Sequence, residues 1–245
     1  AIPLNELTGE QLQIYFDAET HGNKRTKMTH IIRPALQKAV KLRMLAFNPF
    51  EAVEVQTHKR QHRQAFTFPQ QTAVFENVVD KYEAAAWVLA CTGLRVGEFL
   101  GLNYKTDVDY AAGTITVRGS MDIYTGQHLD SPKTENGRRV IRFLPALAPH
   151  LKRCASEELN YNMLRLHFSR LFRKLGLAGC SLYTFRHTFV SLCAYVGIPP
   201  KYIQQLAGHA SIVTTFDIYT DPLEKGTSPL LDYFEKLSYL YPKTK

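Results

Sequence analysis

Apolar and polar positions along the chain alternate with a helical period at both ends and with a strand period in the middle. Leu12, Ile14, Tyr15 and Phe16 follow Leu7-Thr8-Gly9-Glu10, and the hydroxyl of Thr8 suits an N-cap. Ile31, Ile32, Leu36, Val40, Leu42, Leu45 and Ala46 predict a second helix from Thr29 to Phe47. Asn48-Pro49 ends it, because a residue before proline avoids the helical region. Past Pro69 the pattern predicts helices at about 70–80, 81–91 and 95–102, with Gly93 breaking the backbone before the last. Strands are expected at Thr114–Val117, near 120–125 and at Arg139–Phe143, joined through Thr125-Gly126 and Asn136-Gly137 turns. Helical periods resume at 162–175, 185–196, 200–207 and 211–218. Ser228-Pro229 supplies a cap and a first-turn proline for a last helix, about 229–241. Leu144 to Asn160 has no clear period and reads as a surface connection or a place where residues are absent. The expected fold class is mainly α with a small antiparallel β-sheet, an α+β arrangement.

Charge sharpens the domain reading. Thirty Lys and Arg against 22 Asp and Glu give a formal +8 over 245 residues, which favours a polyanionic partner over an acidic one. Thr57-His58-Lys59-Arg60-Gln61-His62-Arg63 has little apolar periodicity and much positive charge. Residues 57–67 therefore read as a basic interdomain linker between a helical domain at 1–56 and a larger domain at 68–245. His58 and His62 stand four apart, but no acidic or Cys ligand accompanies them, so a basic segment lying on phosphate is preferred to a metal pair. Cys91, Cys154, Cys180 and Cys193 have neither a paired nor a metal-like spacing and read as free thiols of a reducing, cytoplasmic compartment. No apolar run approaches the ~18 residues of a membrane span. No secretory leader is recognised, and the chain opens on Ala1 without an initiator Met, as a fragment or processed product would.

Candidate chemistry lies in five side chains of the larger domain: Arg95, Lys133, Arg186, His209 and Tyr219. Taken singly each is bland. An Arg after a glycine turn is usually a surface or salt-bridging residue, Lys133 sits in a turn, Gly208-His209 reads as a helix C-cap, and Tyr219 is one of 13 tyrosines. Taken together, two guanidiniums, an ammonium, an imidazole and a phenol are what a metal-free attack on a phosphodiester requires.

Their order and surroundings resemble the tyrosine recombinases, the phage-type integrases. The matching stretches are Thr92-Gly93-Leu94-Arg95-Val96-Gly97-Glu98, Lys133-Thr134 with Arg138-Arg139 and Pro145, and Phe185-Arg186-His187-Thr188-Phe189 with Gly197-Ile198. Leu206-Ala207-Gly208-His209-Ala210-Ser211 and Thr214-Thr215 with Ile218-Tyr219-Thr220 complete the match. The resemblance implies a partial core-DNA-binding domain at 1–56, lacking its opening helix and the arm-site-binding domain of some relatives. It implies an integrase-type catalytic domain at 68–245, whose last helix (Leu230, Leu231, Phe234, Leu237, Leu240) packs on its own domain or on a neighbouring protomer.

The resemblance further implies a site-specific recombinase of a phage or mobile element. Tyr219 would attack the phosphorus and form a 3′-phosphotyrosyl intermediate, needing neither metal nor ATP nor another cofactor. Arg95 and Arg186 would fork onto the equatorial oxygens, His209 would add a hydrogen bond, and Lys133 would protonate the leaving oxygen. Glu98, one turn from Arg95, would orient it. One position departs from the family: the second arginine box usually opens on His, and here Tyr183 stands there. A phenol with a pKa of about 10 is a poor base at neutral pH but can hydrogen-bond a phosphoryl oxygen. His187 is the other candidate, and its place on the helix, about 100° from Arg186, argues for a structural role. Implied partners are double-stranded DNA, a homotetramer on synapsed sites, an excision factor and a DNA-bending host protein, in the cytoplasm of a bacterial host and near its nucleoid. Competing readings are a type IB topoisomerase, which relaxes DNA by similar chemistry, and an integrase remnant that binds without cutting.

Overall fold

The computed structural model describes residues 2–20, 22–55, 65–129 and 137–219. The chain divides into two compact units, Ala1–His62 and Arg63–Lys245. The basic stretch holding His58 and His62, Lys133 with most of its turn, and the expected last helix at 229–241 all lie outside the described residues.

In the first unit, α1 (Gly9–Ala18) starts where Thr8 predicts. Gln11 N–H donates to Thr8 Oγ1 at 3.2 Å, and Thr8 N–H donates to the Gln11 side chain at 3.0 Å, so two orphan donors are satisfied reciprocally. The second helix, α2, runs Gly22–Lys41, earlier at both ends than the apolar spacing predicts. Its end is set by Arg43 at φ 58°. Arg43 N–H donates to Val40 O and Met44 N–H to Ala39 O, each at 2.9 Å, the paired bonds of a left-handed helix stop. Glycine usually marks such a stop; an arginine carries no sequence signal for it. Asn48 instead opens a separate 3₁₀ turn, Pro49–Ala52, by accepting from Phe50 N–H at 3.0 Å. Leu12, Phe16, Leu36, Phe50 and Val53 form the core, with the Phe16 and Phe50 rings edge to face at 5.3 Å. Ile14 and Ile31, part of the predicted apolar stripes, are exposed.

The second unit is organised around α4 (Lys81–Thr92), buried on every side from Ala84 to Ala90. A helix apolar all round belongs inside a core, and this one packs against α6 (Ala148–Ser156) and α8 (Leu182–Tyr195). Before it, α3 (Phe68–Asn77) is capped by Thr67, and buried Phe66 already belongs to this core, although it falls within the expected linker. After it, α5 spans Val96–Leu100.

A three-stranded antiparallel sheet follows in the order β1 (Val108–Asp109), β2 (Thr114–Val117) and β5 (Arg139–Arg142), with Ile115 facing Ile141 across the last pair. β3 (Ser120–Met121) and β4 (His128–Leu129) make a separate ribbon. Neither β1 nor β4 has a period long enough to read from sequence. The strand expected near 120–125 stops at Met121, because Asp122 Oδ1 accepts from Tyr124 N–H and Thr125 N–H at 2.8 and 2.9 Å and turns the chain.

The stretch from Leu144 to Asn160 is neither a surface connection nor a gap. A 3₁₀ turn (Pro145–Leu147) buries Leu147 and leads into α6, which buries Leu151 and Cys154 against the rest of the core. Its apolar stripe is short and interrupted by Lys152 and Arg153, which hides the period. The remaining helices are α7 (Tyr161–Lys174), α8, α9 (Pro200–Ala207) and α10 (Ile212–Tyr219). α8 starts earlier than the predicted 185 because Ser181 and Thr184 form its cap. Phe185 lies 5.3 Å from Phe168 and 5.4 Å from Phe66, which clamps α8 beside α7. All four cysteines are free; Cys154 and Cys193 are buried, and burial pushes the Cys154 thiol up to about 12. No helix among the described residues is long and apolar enough to cross a membrane.

A methyl group at Gly97 would sit 2.7 Å from Met121 O, so α5 rests directly on the backbone of β3. Gly97→Ala is expected to lower stability by about 1–3 kcal/mol through this overpacking. Urea denaturation of the variant beside wild type measures it.

Candidate active site

One buried carboxylate organises the site. Glu98 is 3% exposed on α5, with Arg95 capping the same helix. Glu98 Oε2 accepts from Arg95 N–H at 2.9 Å and Oε1 accepts from Arg95 Nη1 at 2.6 Å. Arg139, reaching in from β5, donates Nη1 to Oε1 at 3.1 Å and Nη2 to Oε2 at 2.8 Å. Burial alone would raise this carboxyl, but hydrogen bonding and charge from Arg139, then Arg95, hold it below the usual carboxylate range. Arg139 is tied further by Nε to Leu206 O at 2.7 Å, which joins the sheet to the end of α9. Sequence reading places Glu98 beside Arg95 but does not find Arg139 as the second guanidinium on it; the pairing spans two elements far apart in the chain.

Two left-handed glycines deliver the arginines. Gly93, at φ 62°, closes α4 and turns the chain toward Arg95. Its carbonyl accepts from Arg186 Nη1 at 2.8 Å. Gly208, at φ 64°, closes α9, and its carbonyl accepts from Arg95 Nη2 at 2.5 Å. A left-handed turn is inexpensive only for glycine, and here each one also points a carbonyl into the site. The ring of Phe189 lies 2.3 Å from where a Gly93 methyl would be, so even alanine has no room there.

Arg186, on α8, is 7% exposed, and its Nη2 is buried without a hydrogen-bond partner among the described residues. Burial, then the charge of Arg95, pulls it down to about 9, still cationic at neutral pH. His209 is 6% exposed just past α9. Its N–H donates to Gln204 O at 3.0 Å, its carbonyl accepts from Gln204 Nε2 at 3.2 Å, and its Nδ1 lies 3.0 Å from Thr215 Oγ1 on α10. Burial, then the charges of Arg186, Arg95 and Arg139, push the imidazole down to about 3, so it is neutral at physiological pH. Beside it a cleft of about 440 Å³ is lined in part by Arg138, Arg139, Lys201 and Tyr202.

Among the described residues the fold thus gathers Arg95, Arg139, Arg186 and His209 around one carboxylate, three guanidiniums to a single negative charge. Tyr219 ends α10, the helix that packs on α8 and α9. Tyr183 is part-exposed, one turn before Arg186 on α8 and near enough to act on its charge. His187 is half-buried on the next position of that helix. Lys133 lies outside the described residues.

A mainly helical chain with a small antiparallel sheet is also the fold of solved integrases. The Tn1549 transposon integrase, solved in complex with a circular intermediate DNA, superposes with a TM-score of 0.76 over 97% of this chain and 87% of that one, at 18% identity. A lambda integrase tetramer bound to a Holliday junction matches with a TM-score of 0.64 over 85% of this chain and 66% of that one, at 18% identity. In sequence, the integrase of Staphylococcus phage L54a is 30% identical over 184 residues, 63% of this chain and 52% of the phage protein. Residues 59–225 match the Phage integrase family, and the chain belongs to that family. It spans about half the length of the curated relatives it matches, 52%, 44% and 40% of the first three.

Breaking the Glu98–Arg139 pair leaves a buried cation without its counter-charge. Glu98→Gln is expected to cost about 3–5 kcal/mol, read from urea midpoints. Acid also weakens the fold. Between pH 6.5 and about 3 the unfolded chain protonates its imidazole at position 209 while the folded chain does not, so stability falls as pH falls through that window. The limiting slope is about 1.4 kcal/mol per pH unit for this group. Glu98 adds to the loss at the lower end, as its depressed carboxyl finally protonates. His209→Gln is expected to flatten the upper part of that limb in a series of urea melts from pH 7 to 4.

Proposed function

We propose that this chain carries the catalytic activity of a site-specific DNA recombinase of a mobile element, cutting and rejoining double-stranded DNA with Tyr219 as nucleophile. The observation that carries the reading is the Nη2 of buried Arg186, without a hydrogen-bond partner among the described residues and set among Arg95, Arg139 and neutral His209, next to the helix that ends on Tyr219. A phosphodiester supplies the missing negative charge.

The Tyr219 phenolic oxygen attacks phosphorus as its proton passes to water or to the phosphate itself, and the bond to the sugar 5′-oxygen breaks. Lys133 gives that oxygen its proton, and the phosphate stays attached to Tyr219 at the 3′ end. An incoming 5′-hydroxyl reverses the step, so the bond energy is conserved and rejoining requires no ATP. Arg95 and Arg186 hold the non-bridging oxygens as charge builds on them. A neutral imidazole has one N–H to offer, and His209 offers it to the same phosphate. Tyr183 hydrogen-bonds a phosphoryl oxygen rather than serving as base. Strand exchange is preferred to simple relaxation because the matched proteins are named as integrases of a phage and of a transposon. The lambda tetramer on a Holliday junction supports a homotetrameric synapse. Excision and DNA-bending factors would complete the partner set, at the bacterial nucleoid.

Incubation with a nicked suicide duplex carrying the joined ends of the element is expected to give an SDS-resistant adduct. Peptide mapping should place it on Tyr219, and Tyr219→Phe should abolish it while still binding the duplex. An adduct elsewhere, or none despite binding, would overturn the assignment. Arg186→Ala should slow adduct formation on the order of 10²–10³-fold, the usual loss for one preorganised donor.

A further inference from the structure

We infer that the Thr215 hydroxyl is a positioning group for this reaction: it donates to His209 Nδ1 and thereby fixes the imidazole as the Nε2–H tautomer. The inference rests on the phosphodiester reading of the site. Thr215 is fully buried and His209 nearly so, and Oγ1 and Nδ1 are 3.0 Å apart.

The direction of that hydrogen bond follows from the neighbours. The ring is neutral and faces guanidiniums, which have no lone pair to accept a proton. A single N–H is therefore present, and a phosphate beside the guanidiniums must receive it from Nε2. Nδ1 is left as an acceptor, and the hydroxyl 3.0 Å away is a donor that can reach it. With the opposite tautomer, the Nε2 lone pair would face the phosphate oxygens and repel them.

The hydroxyl also links two parts of the reaction. Thr215 sits on α10, one helical turn before Tyr219, whereas His209 belongs to the turn after α9. The bond forms only when α10 is seated against that turn. Placement of the helix bearing the nucleophile thus sets the tautomer of the imidazole that receives the phosphate.

The test compares Thr215→Val, which keeps the shape and removes the hydroxyl, with Thr215→Ser, which keeps the hydroxyl. In protein labelled with ¹⁵N in the histidine rings, His209 is assigned by the signal missing from His209→Gln. Wild type and Thr215→Ser should show a protonated Nε2 and an unprotonated Nδ1, while Thr215→Val should show a mixture. On the suicide duplex, Thr215→Val should form adduct about 10- to 100-fold more slowly with unchanged DNA affinity, the range seen when the partner orienting a metal-bound histidine is lost. Thr215→Ser should restore most of the rate.

A wild-type ring protonated on Nδ1, or a Thr215→Val ring with an unchanged tautomer, would overturn the inference. So would a serine variant as slow as the valine one. If Thr215→Val fails to fold, the wild-type and serine spectra still decide. The ring spectra need no catalysis, so a wild type that forms no adduct would refute the recombinase reading and leave the tautomer to be judged separately.

Discussion

The contact on which the site depends is the buried carboxylate of Glu98 between two guanidiniums. Burying a carboxylate is costly, and Arg139 offsets that cost with a two-pronged grip that also fixes the carboxylate plane. Arg95 then meets an acceptor already in place. The same Arg139 holds the Leu206 carbonyl near the end of α9, so the sheet, α5 and the end of α9 are braced through one side chain. With Arg186 close by, the described residues set three guanidiniums against this one carboxylate in a poorly solvated place.

Backbone conformation is the second constraint. Gly93 and Gly208 each end a helix in the left-handed region, and each presents its carbonyl to the arginine supplied by another segment. Arg186 is held by the turn that launches Arg95, and Arg95 is held by the turn that launches His209. Each arginine is thus oriented by the glycine that ends a helix of another segment. Arg186 Nη2 has no hydrogen-bond partner among the described residues.

Electrostatics assigns His209 its role. Among cations and out of water, the imidazole stays neutral and adds no further positive charge. Which nitrogen carries the proton becomes consequential, and the Thr215 hydroxyl connects that choice to the seating of α10.

Much of this was legible in the chain because it depends on neighbours in sequence. The Thr8 cap, the apolar run of α4, the glycine stops and the order of Arg95, Arg186 and His209 all follow from residue type and spacing. Local signals failed where the deciding contact was distant or the residue atypical. Arg43 takes a left-handed stop normally given to glycine, α6 hides its short apolar stripe, and β1 and β4 are too brief to have a period. The Glu98–Arg139 pair, the carbonyls that hold the two arginines, and the Thr215–His209 contact could be decided only by tertiary structure. Those bonds join side chains from separate elements, and their strength comes from a buried environment that exists only after the chain has folded.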